Sequence, residues 1–427
     1  MLSKKTVLKI KNLLSEDKLT QAEIAKQFKI SRSLVSDIAT GRSYGKVEGP
    51  EAPVKAPKGQ RKKSTANPEE KILDLEAETV HLREELRLAK RQLLGAVKTR
   101  GLFTAMADEL HSTIKPIKAL PSARPKIKSA AVTEHLVMHL SDGHHDQVVT
   151  PDECGGLEQY DFKVSMCRAE NYIDTVLKWT QETLAPKFNF PSLTILAYGD
   201  HTSGEIHGHA NRSYFRNQMK SCLAIGQLHS LMFRDLAPYF ETVNIVYVPG
   251  NHGRRSLTKD YHGAHDNWDY LLAKTAELYC ADIENVHFTI PNAFSANLDI
   301  GGIGFSVFHG DDIRSSLGIP WYGLERRTGR IIALNQVTSG PRIKYFAAGH
   351  FHRSGTTPVG DGELLLNGSW VATDSYVYNS FSGYTEPTQL LHGVHERYGV
   401  TWRLPVKLRC DYERSGPKRY KIDLLEN

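Results

Sequence analysis

The chain has 427 residues, of which 40% are hydrophobic and 24% charged, with a formal net charge of +6. At roughly 100–200 residues per domain this predicts two or three domains with a sizeable core, and it excludes a wholly disordered chain. No run of about 18 uncharged apolar residues occurs, and the opening MLSKKTVLKI is too short and too basic for a signal-peptide core, which argues against a membrane-spanning or secreted protein. The charge is unevenly placed: residues 1–130 hold 27 Lys+Arg against 15 Asp+Glu, a balance of +12, and residues 131–427 hold 27 against 33, a balance of −6. A polyanion-seeking module ahead of a mildly acidic body is the simplest reading. Five scattered cysteines with no C-x-x-C pair predict free thiols in a reducing cytoplasm.

Residues 1–45 read as a small helical unit. Thr20-Gln-Ala-Glu23 is a capping box ahead of Ile24, Ala25 and Phe28 at helical spacing. After a break at Lys29 and Ile30, Ser31 is an N-cap for a second helix through Leu34, Val35 and Ile38 to Gly41. Two short helices joined by a tight turn make a helix-turn-helix, although Lys29 stands where glycine usually forms the turn. Such a unit lays its second helix in the DNA major groove, where Ser31, Arg32, Ser33 and Ser36 would meet base edges and phosphates. Lys4, Lys5, Lys9, Lys11 and Lys26 add phosphate affinity. The alternative is a three-helix unit that makes protein contacts.

Residues 46–68, rich in Pro, Gly and Lys, predict a flexible basic linker. Over 69–97, spacings of three and four pick out Ile72, Leu75, Thr79, Leu82, Leu86, Ala89 and Leu93, with polar residues opposite. That is a coiled-coil-like helix able to pair two chains through residues 69–95, or else a single amphipathic helix packed on the body. Residues 98–130, polar and basic with Pro116, Pro121 and Pro125, read as a connector.

From 131 to 405 the texture changes. Apolar runs of strand length occur at His135–Leu140, Leu193–Tyr198, Val243–Val248, Ile303–Phe308 and Tyr345–Ala348, and amphipathic segments around 165–185, 213–239 and 265–281 separate several of them. Strands alternating with helices give the fold class: α/β and layered. The segment from Leu364 onward, with Asn367-Gly-Ser369, is expected to complete the sheet and line one wall of a pocket, and 406–427 reads as a C-terminal tail without functional signal.

Each of the five runs leads into side chains able to bind metal: Ser141-Asp142-Gly143-His144, Gly199-Asp200, Pro249-Gly250-Asn251-His252, His309-Gly310-Asp311 and Gly349-His350-Phe351-His352. The carboxyl ends of strands in an α/β sheet converge on one crevice, which would gather these tips into a single pocket. Its donors would be Asp142, His144, Asp200, Asn251, His309, His350 and His352. Seven donors exceed one tetrahedral ion and suit two divalent ions sharing a bridging carboxylate. Oxygen and nitrogen donors without thiolate favour Mn, with Zn, Fe or Co also compatible, over Ca or Mg. A lone histidine is usually structural; the ordered recurrence sets these apart.

In order, spacing and strand context the five motifs resemble the calcineurin-like metallophosphoesterase superfamily, over roughly residues 131–375. The GHFH ending and the HGD motif look most like double-strand-break-repair nucleases, and the whole pattern is similar to bacteriophage metallophosphoesterases described as DNA repair exonucleases. The resemblance implies a layered metallophosphoesterase sandwich. It also implies that Asp142, His144 and His352 hold one ion, Asn251, His309 and His350 the other, and Asp200 both. His252 would face the leaving group without binding metal. Two positions depart from the family pattern. Arg254 follows the GNH motif where many relatives carry an acid one place earlier, so it is either a phosphate contact or a surface residue. Ser203 replaces an aspartate that orients the catalytic histidine in phosphatase relatives, which counts against a phosphatase. His145, His201, His207 and His209 are expected to be polar lining, and Asp311 and Asp312 to support His309 or a neighbouring turn.

The sequence thus reads as a two-metal phosphodiesterase hydrolysing DNA, recruited by an N-terminal helix-turn-helix, in the cytoplasm of a bacterium or a phage-infected cell. No G-x-x-x-x-G-K-[ST] loop and no G-x-S-x-G elbow occur, so any ATPase motor would be a separate partner. The rivals are a phosphomonoesterase or small-nucleotide phosphodiesterase merely tethered to DNA, and a non-catalytic DNA-binding adaptor on a metallophosphoesterase scaffold.

Overall fold

The computed structural model describes residues 2–16, 19–40, 104–106, 108–110, 112–123, 132–206, 212–259, 263–313, 320–338 and 340–426, together with positions 79, 85, 86 and 101. The linker at 46–68, nearly all of the pairing helix at 69–97, much of the connector, His207 and His209 lie outside the described residues. The chain divides into two units, Met1–Lys90 and Arg91–Asn427. Among the described residues no helix is long and apolar enough to cross a membrane, and all five cysteines are free thiols.

The first unit holds α1 (Lys4–Glu16), α2 (Gln21–Gln27) and α3 (Arg32–Ala39). Val7, Ile10 and Leu14 of α1 close a small core with Ile24, Ala25, Val35 and Ile38. Thr20 and Glu23 form the reciprocal capping box, the Thr20 amide donating to Glu23 Oε2 at 2.7 Å and the Glu23 amide to Thr20 Oγ1 at 3.3 Å. Ser31 caps α3 by accepting the Leu34 amide at 3.2 Å. Lys29 makes the turn in the left-handed region, φ 51°. It does glycine's job there at a cost of about 1 kcal/mol.

The second unit runs β1 (Val132–Thr133), β2 (His135–Leu140), α4 (Phe162–Leu177), β3 (Phe188–Asn189), β4 (Ser192–Tyr198), α5 (Gln218–Leu236), β5 (Thr242–Val248), α6 (Trp268–Tyr279) and β6 (Val286–Thr289). It continues with β7 (Ser295–Ile300), β8 (Ile303–Phe308), α7 (Trp321–Asn335), β9 (Ile343–Ala348), β10 (Gly355–Val359), β11 (Gly362–Leu366), α8 (Ser375–Phe381), β12 (Thr388–His395), β13 (Gly399–Lys407) and α9 (Asp423–Glu426). All five apolar runs are strands. They do not share one sheet, as the convergence argument assumed. β2, β4 and β5 are parallel neighbours in a six-stranded sheet ordered β13-β12-β2-β4-β5-β6, while β8 and β9 are parallel neighbours in a five-stranded sheet ordered β10-β11-β9-β8-β7.

Packing explains why these strands read as continuous apolar runs: both faces are covered. Leu136, Met138 and Leu140 of β2 pack with Phe162, Met166, Tyr172 and Ile173 of α4 and with residues of α5 and α6. The alternate face of the same sheet, Val137, Leu196, Tyr198 and Val246, meets Phe305, Val307, Tyr345 and Leu365 of the other sheet. Phe308, Phe346 and Leu364 then bury the outer face of that second sheet against Leu324 of α7. The result is a helix–sheet–sheet–helix sandwich, the layered α/β fold expected.

Residues 406–427 are not a loose tail. Leu408, Tyr420 and Ile422 sit in the main core, and Glu413 reaches Arg168, a fully buried arginine of α4, at 2.8 Å. Arg168 also pairs with Glu158 at 3.0 Å and donates to the Trp370 carbonyl. This arginine ties three separate segments together, and the pattern was invisible in sequence because each of its partners is remote. Truncating it leaves the buried Glu158 carboxylate with only the partly exposed Arg409 at 3.3 Å as a cation, so Arg168→Ala should lower unfolding free energy by about 3 kcal/mol in a denaturant titration.

Candidate metal centre

The tips after β2, β4, β5, β8 and β9 meet at one edge of the sandwich, stitched by main-chain hydrogen bonds. The Asp142 amide donates to the Gly199 carbonyl, the His144 amide to the Asp200 carbonyl, both at 3.0 Å, and the Gly349 amide to the His309 carbonyl at 2.9 Å. Five of the predicted donors occupy the left-handed region: Asp142 (φ 52°), His144 (φ 40°), Asp200 (φ 55°), His350 (φ 69°) and His352 (φ 53°). Such conformations cost of the order of 1–3 kcal/mol each for residues with a Cβ and cluster at functional sites. The glycines beside them have a steric reason. A Cβ at Gly250 would overlap the Asp200 carboxylate, and one at Gly349 the Asp142 carboxylate.

The donor atoms are gathered into three groups, each within 4.8 Å: Asp142, His144 and His352; Asp200, His309 and His350; and His144, Asp200 and His252. Asp200 belongs to the second and third groups and His144 to the first and third, so these two residues link all three. Its Oδ2 lies 2.8 Å from His309 Nε2, and its Oδ1 accepts the His252 amide at 2.8 Å. Asn251 joins through Oδ1, 3.1 Å from His309 Nε2. Asp142 Oδ1 accepts the His350 amide at 2.8 Å and lies 3.4 Å from His352 Nε2, which is 3.3 Å from His144 Nε2. All seven donors read from the sequence are thus brought together, and His252 sits beside them, its ring edge-on to His144 at 4.7 Å between centroids.

Burial and charge at this place call for cations. Burial opposes ionisation of Asp200, yet the His309 and His252 imidazoles outweigh it and hold the carboxyl well below the usual carboxylate range. His309 is pushed up to about 10, burial being overcome by Asp200 and, further off, Asp142. His350 falls to about 4 through burial and the neighbouring charge of His309. A proton on His309 therefore stands where positive charge is demanded, among oxygen and nitrogen donors with no thiolate. The donor set fits divalent ions of the Mn, Fe, Zn or Co kind.

Supporting residues escaped the sequence reading. Asp269 Oδ2 accepts the Asp200 amide at 3.2 Å and the Gly250 amide at 2.8 Å, and burial with the Asp200 charge raises its pKa to about 7. It reads in sequence as an ordinary first-turn acid after the Asn267 cap of α6. Asp146 accepts the Ser203 amide at 2.8 Å and the Ser213 hydroxyl at 3.0 Å, fixing the loop behind Asp200. Gln389 and Asn367 brace the first tip: Gln389 Oε1 accepts the Ser141 amide at 3.1 Å, and Asn367 Nδ2 donates to Ser141 Oγ at 2.9 Å.

The remaining residues singled out in the sequence are placed as follows. His145 and His201 are fully buried and gather with His229 rather than with the donors of the centre. Arg254 Nε donates to the Asn251 carbonyl at 3.1 Å, bracing the GNH loop. Asp311 pairs with Lys259 at 2.6 Å and Asp312 with Arg327 at 3.4 Å. At position 203, where the resembled phosphatases carry an aspartate, the backbone meets the ring: His252 Nδ1 donates to the Ser203 carbonyl at 2.9 Å. In the first unit Ser31, Arg32 and Ser33 are exposed at the start of α3, and Ser36 is half-buried one turn on.

No protein-family model matches the chain, and no curated protein matches it. Solved structures that it resembles include an archaeal phosphodiesterase, 10% identical, covering 63% of this chain and 99% of that one at a TM-score of 0.30. A hypothetical protein from Pyrococcus horikoshii is 12% identical, with 66% and 92% covered and a TM-score of 0.33. A predicted phosphoesterase from Streptococcus pneumoniae is 9% identical, with 64% and 99% covered and a TM-score of 0.27. These likenesses are distant.

Proposed function

We propose that this chain is a metal-dependent phosphoesterase, and more narrowly a two-metal phosphodiesterase that cleaves DNA and is brought to it by the α1–α3 unit. The observation that carries the chemistry is Asp200 shared by two donor groups, one oxygen toward His309 and the other fixed by the His252 amide. In this reading Asp142, His144 and His352 hold one divalent ion, Asn251, His309 and His350 a second, and Asp200 both. Bound ions of this kind supply Lewis acidity toward phosphoryl oxygens and a hydroxide at neutral pH. The chain's own part is to orient the phosphoester and handle the departing oxygen. His252, aligned through Nδ1 by the Ser203 carbonyl, would present Nε2 to that oxygen and, when protonated, donate to it.

The DNA component rests on the +12 balance of residues 1–130 and on the capped α2–turn–α3 unit with Arg32 exposed at its edge. Arg32→Ala should weaken DNA binding similarly across sequences and reduce the salt slope by about one unit, read by fluorescence anisotropy at several ionic strengths. Pairing through residues 69–95 belongs to the same proposal, and sedimentation of the full chain tests it. For activity, the full chain with Mn²⁺ should hydrolyse defined single- or double-stranded DNA, lose that activity with EDTA and regain it with added metal. Intact DNA alongside hydrolysis of bis-p-nitrophenyl phosphate would refute the substrate and leave the chemistry. Two bound ions with no hydrolysis of any phosphoester would favour the adaptor.

A further inference from the structure

Beneath the tips lies a second cluster of donors that the reading above does not use. His145, His201 and His229 are all fully buried, and one ring nitrogen from each lies within 4.8 Å of the others. His145 Nε2 and His229 Nε2 face each other at 3.1 Å. Their opposite nitrogens are each held by a hydroxyl, His145 Nδ1 with Ser165 Oγ at 2.6 Å and His229 Nδ1 with the Tyr247 hydroxyl at 2.7 Å. Outer partners of this sort fix ring orientation at metal-binding histidines.

His201 decides the matter. Neither of its ring nitrogens has a hydrogen-bonding partner among the described residues. A neutral imidazole carries both an N–H and a lone pair, and burying both unpaired is costly. A hydrogen bond between His145 and His229 accounts for those two rings and leaves His201 unexplained. An ion bound through one nitrogen of each ring gives His201 a partner on that nitrogen as well. Two imidazole nitrogens on a tetrahedral ion with bonds of about 2.0–2.1 Å lie about 3.3–3.4 Å apart, close to the separation seen.

We propose that His145, His201 and His229 form a separate, buried mononuclear site for a divalent transition ion of the zinc class, with water as its fourth ligand. An all-imidazole set suits Zn²⁺, Co²⁺, Ni²⁺ or Cu²⁺ and disfavours Mn²⁺, which prefers oxygen, so the site differs in metal preference from the mixed centre of carboxylate, amide and imidazole donors. Its location gives it a structural task. His145 follows His144 and His201 follows Asp200, and the His145 amide donates to the His201 carbonyl at 3.0 Å. Trp370 closes the cluster edge-on to His145, 4.6 Å between ring centroids. The ion would pin the undersides of two tips whose upper sides carry His144 and Asp200.

Cobalt titration of the full-length chain, with Mn²⁺ saturating, tests this. One equivalent of Co²⁺ should give the intense visible bands of a tetrahedral nitrogen site. The same band should persist in Asp200→Ala, where the upper centre is removed, so its presence is independent of the two-metal reading. His229→Ala should lose the band and one ion per chain by elemental analysis while the other centre still takes up its Mn²⁺. No tetrahedral band in the wild-type chain would overturn the site and leave a trapped water as the partner of His201. An unchanged band in a folded His229→Ala would also overturn it.

Discussion

Asp200→Ala is expected to lose metal and hydrolysis together, with kcat/KM falling by about 10³ or more. The carboxylate groups both with His309 and His350 and with His144 and His252, and it fixes the GNH loop through the His252 amide at 2.8 Å. Without it the remaining donors are mainly neutral imidazoles and one amide at its end of the centre. Preorganised charge aimed at the reacting phosphoryl group is the largest catalytic contribution such a site makes, and removing single donors elsewhere costs about 10²–10³. Elemental analysis against Asp200→Asn adds a control of equal volume. A chain that keeps two ions and near wild-type turnover in Asp200→Ala would sink the bridging role.

His252→Ala should behave differently, keeping its metal content and losing about 10²–10⁴ in kcat. The ring lies beside the donors rather than among the Asp142 group or the His309 group, and its orientation comes from the Ser203 carbonyl. Because its task is to protonate a poor leaving group, the loss should shrink with a p-nitrophenyl ester, whose leaving oxygen needs no proton. Equal losses on DNA and on the activated ester would assign His252 to binding or structure instead.

The centre was legible in the sequence because its parts are local: a strand-length apolar run followed within a few residues by donors, repeated five times in order. What the pattern did not carry was direction. His144 and His145 are neighbours of the same residue type, yet one groups with Asp142 and His352 and the other with His201 and His229. Nor did composition tell that β8 and β9 leave the sheet of β2, β4 and β5; all five are buried on both faces and look alike. Asp269, Asp146 and Gln389 act through main-chain amides of distant residues, and a contact to backbone leaves no residue-type signature on its partner. The segment after residue 405 failed to register for a related reason, since Arg168 and its acids are a sparse, long-range set.

The main-chain contacts of the two carboxylates run across the centre. Asp142, counted with one group of donors, holds the amide of His350, which belongs to the other, and Asp200 braces the loop bearing both Asn251 and His252. Each half of the centre is thus part of the other's frame. On the two-metal proposal, damage on one side should therefore reach its neighbour, and a metal titration is expected to show the two ions binding cooperatively.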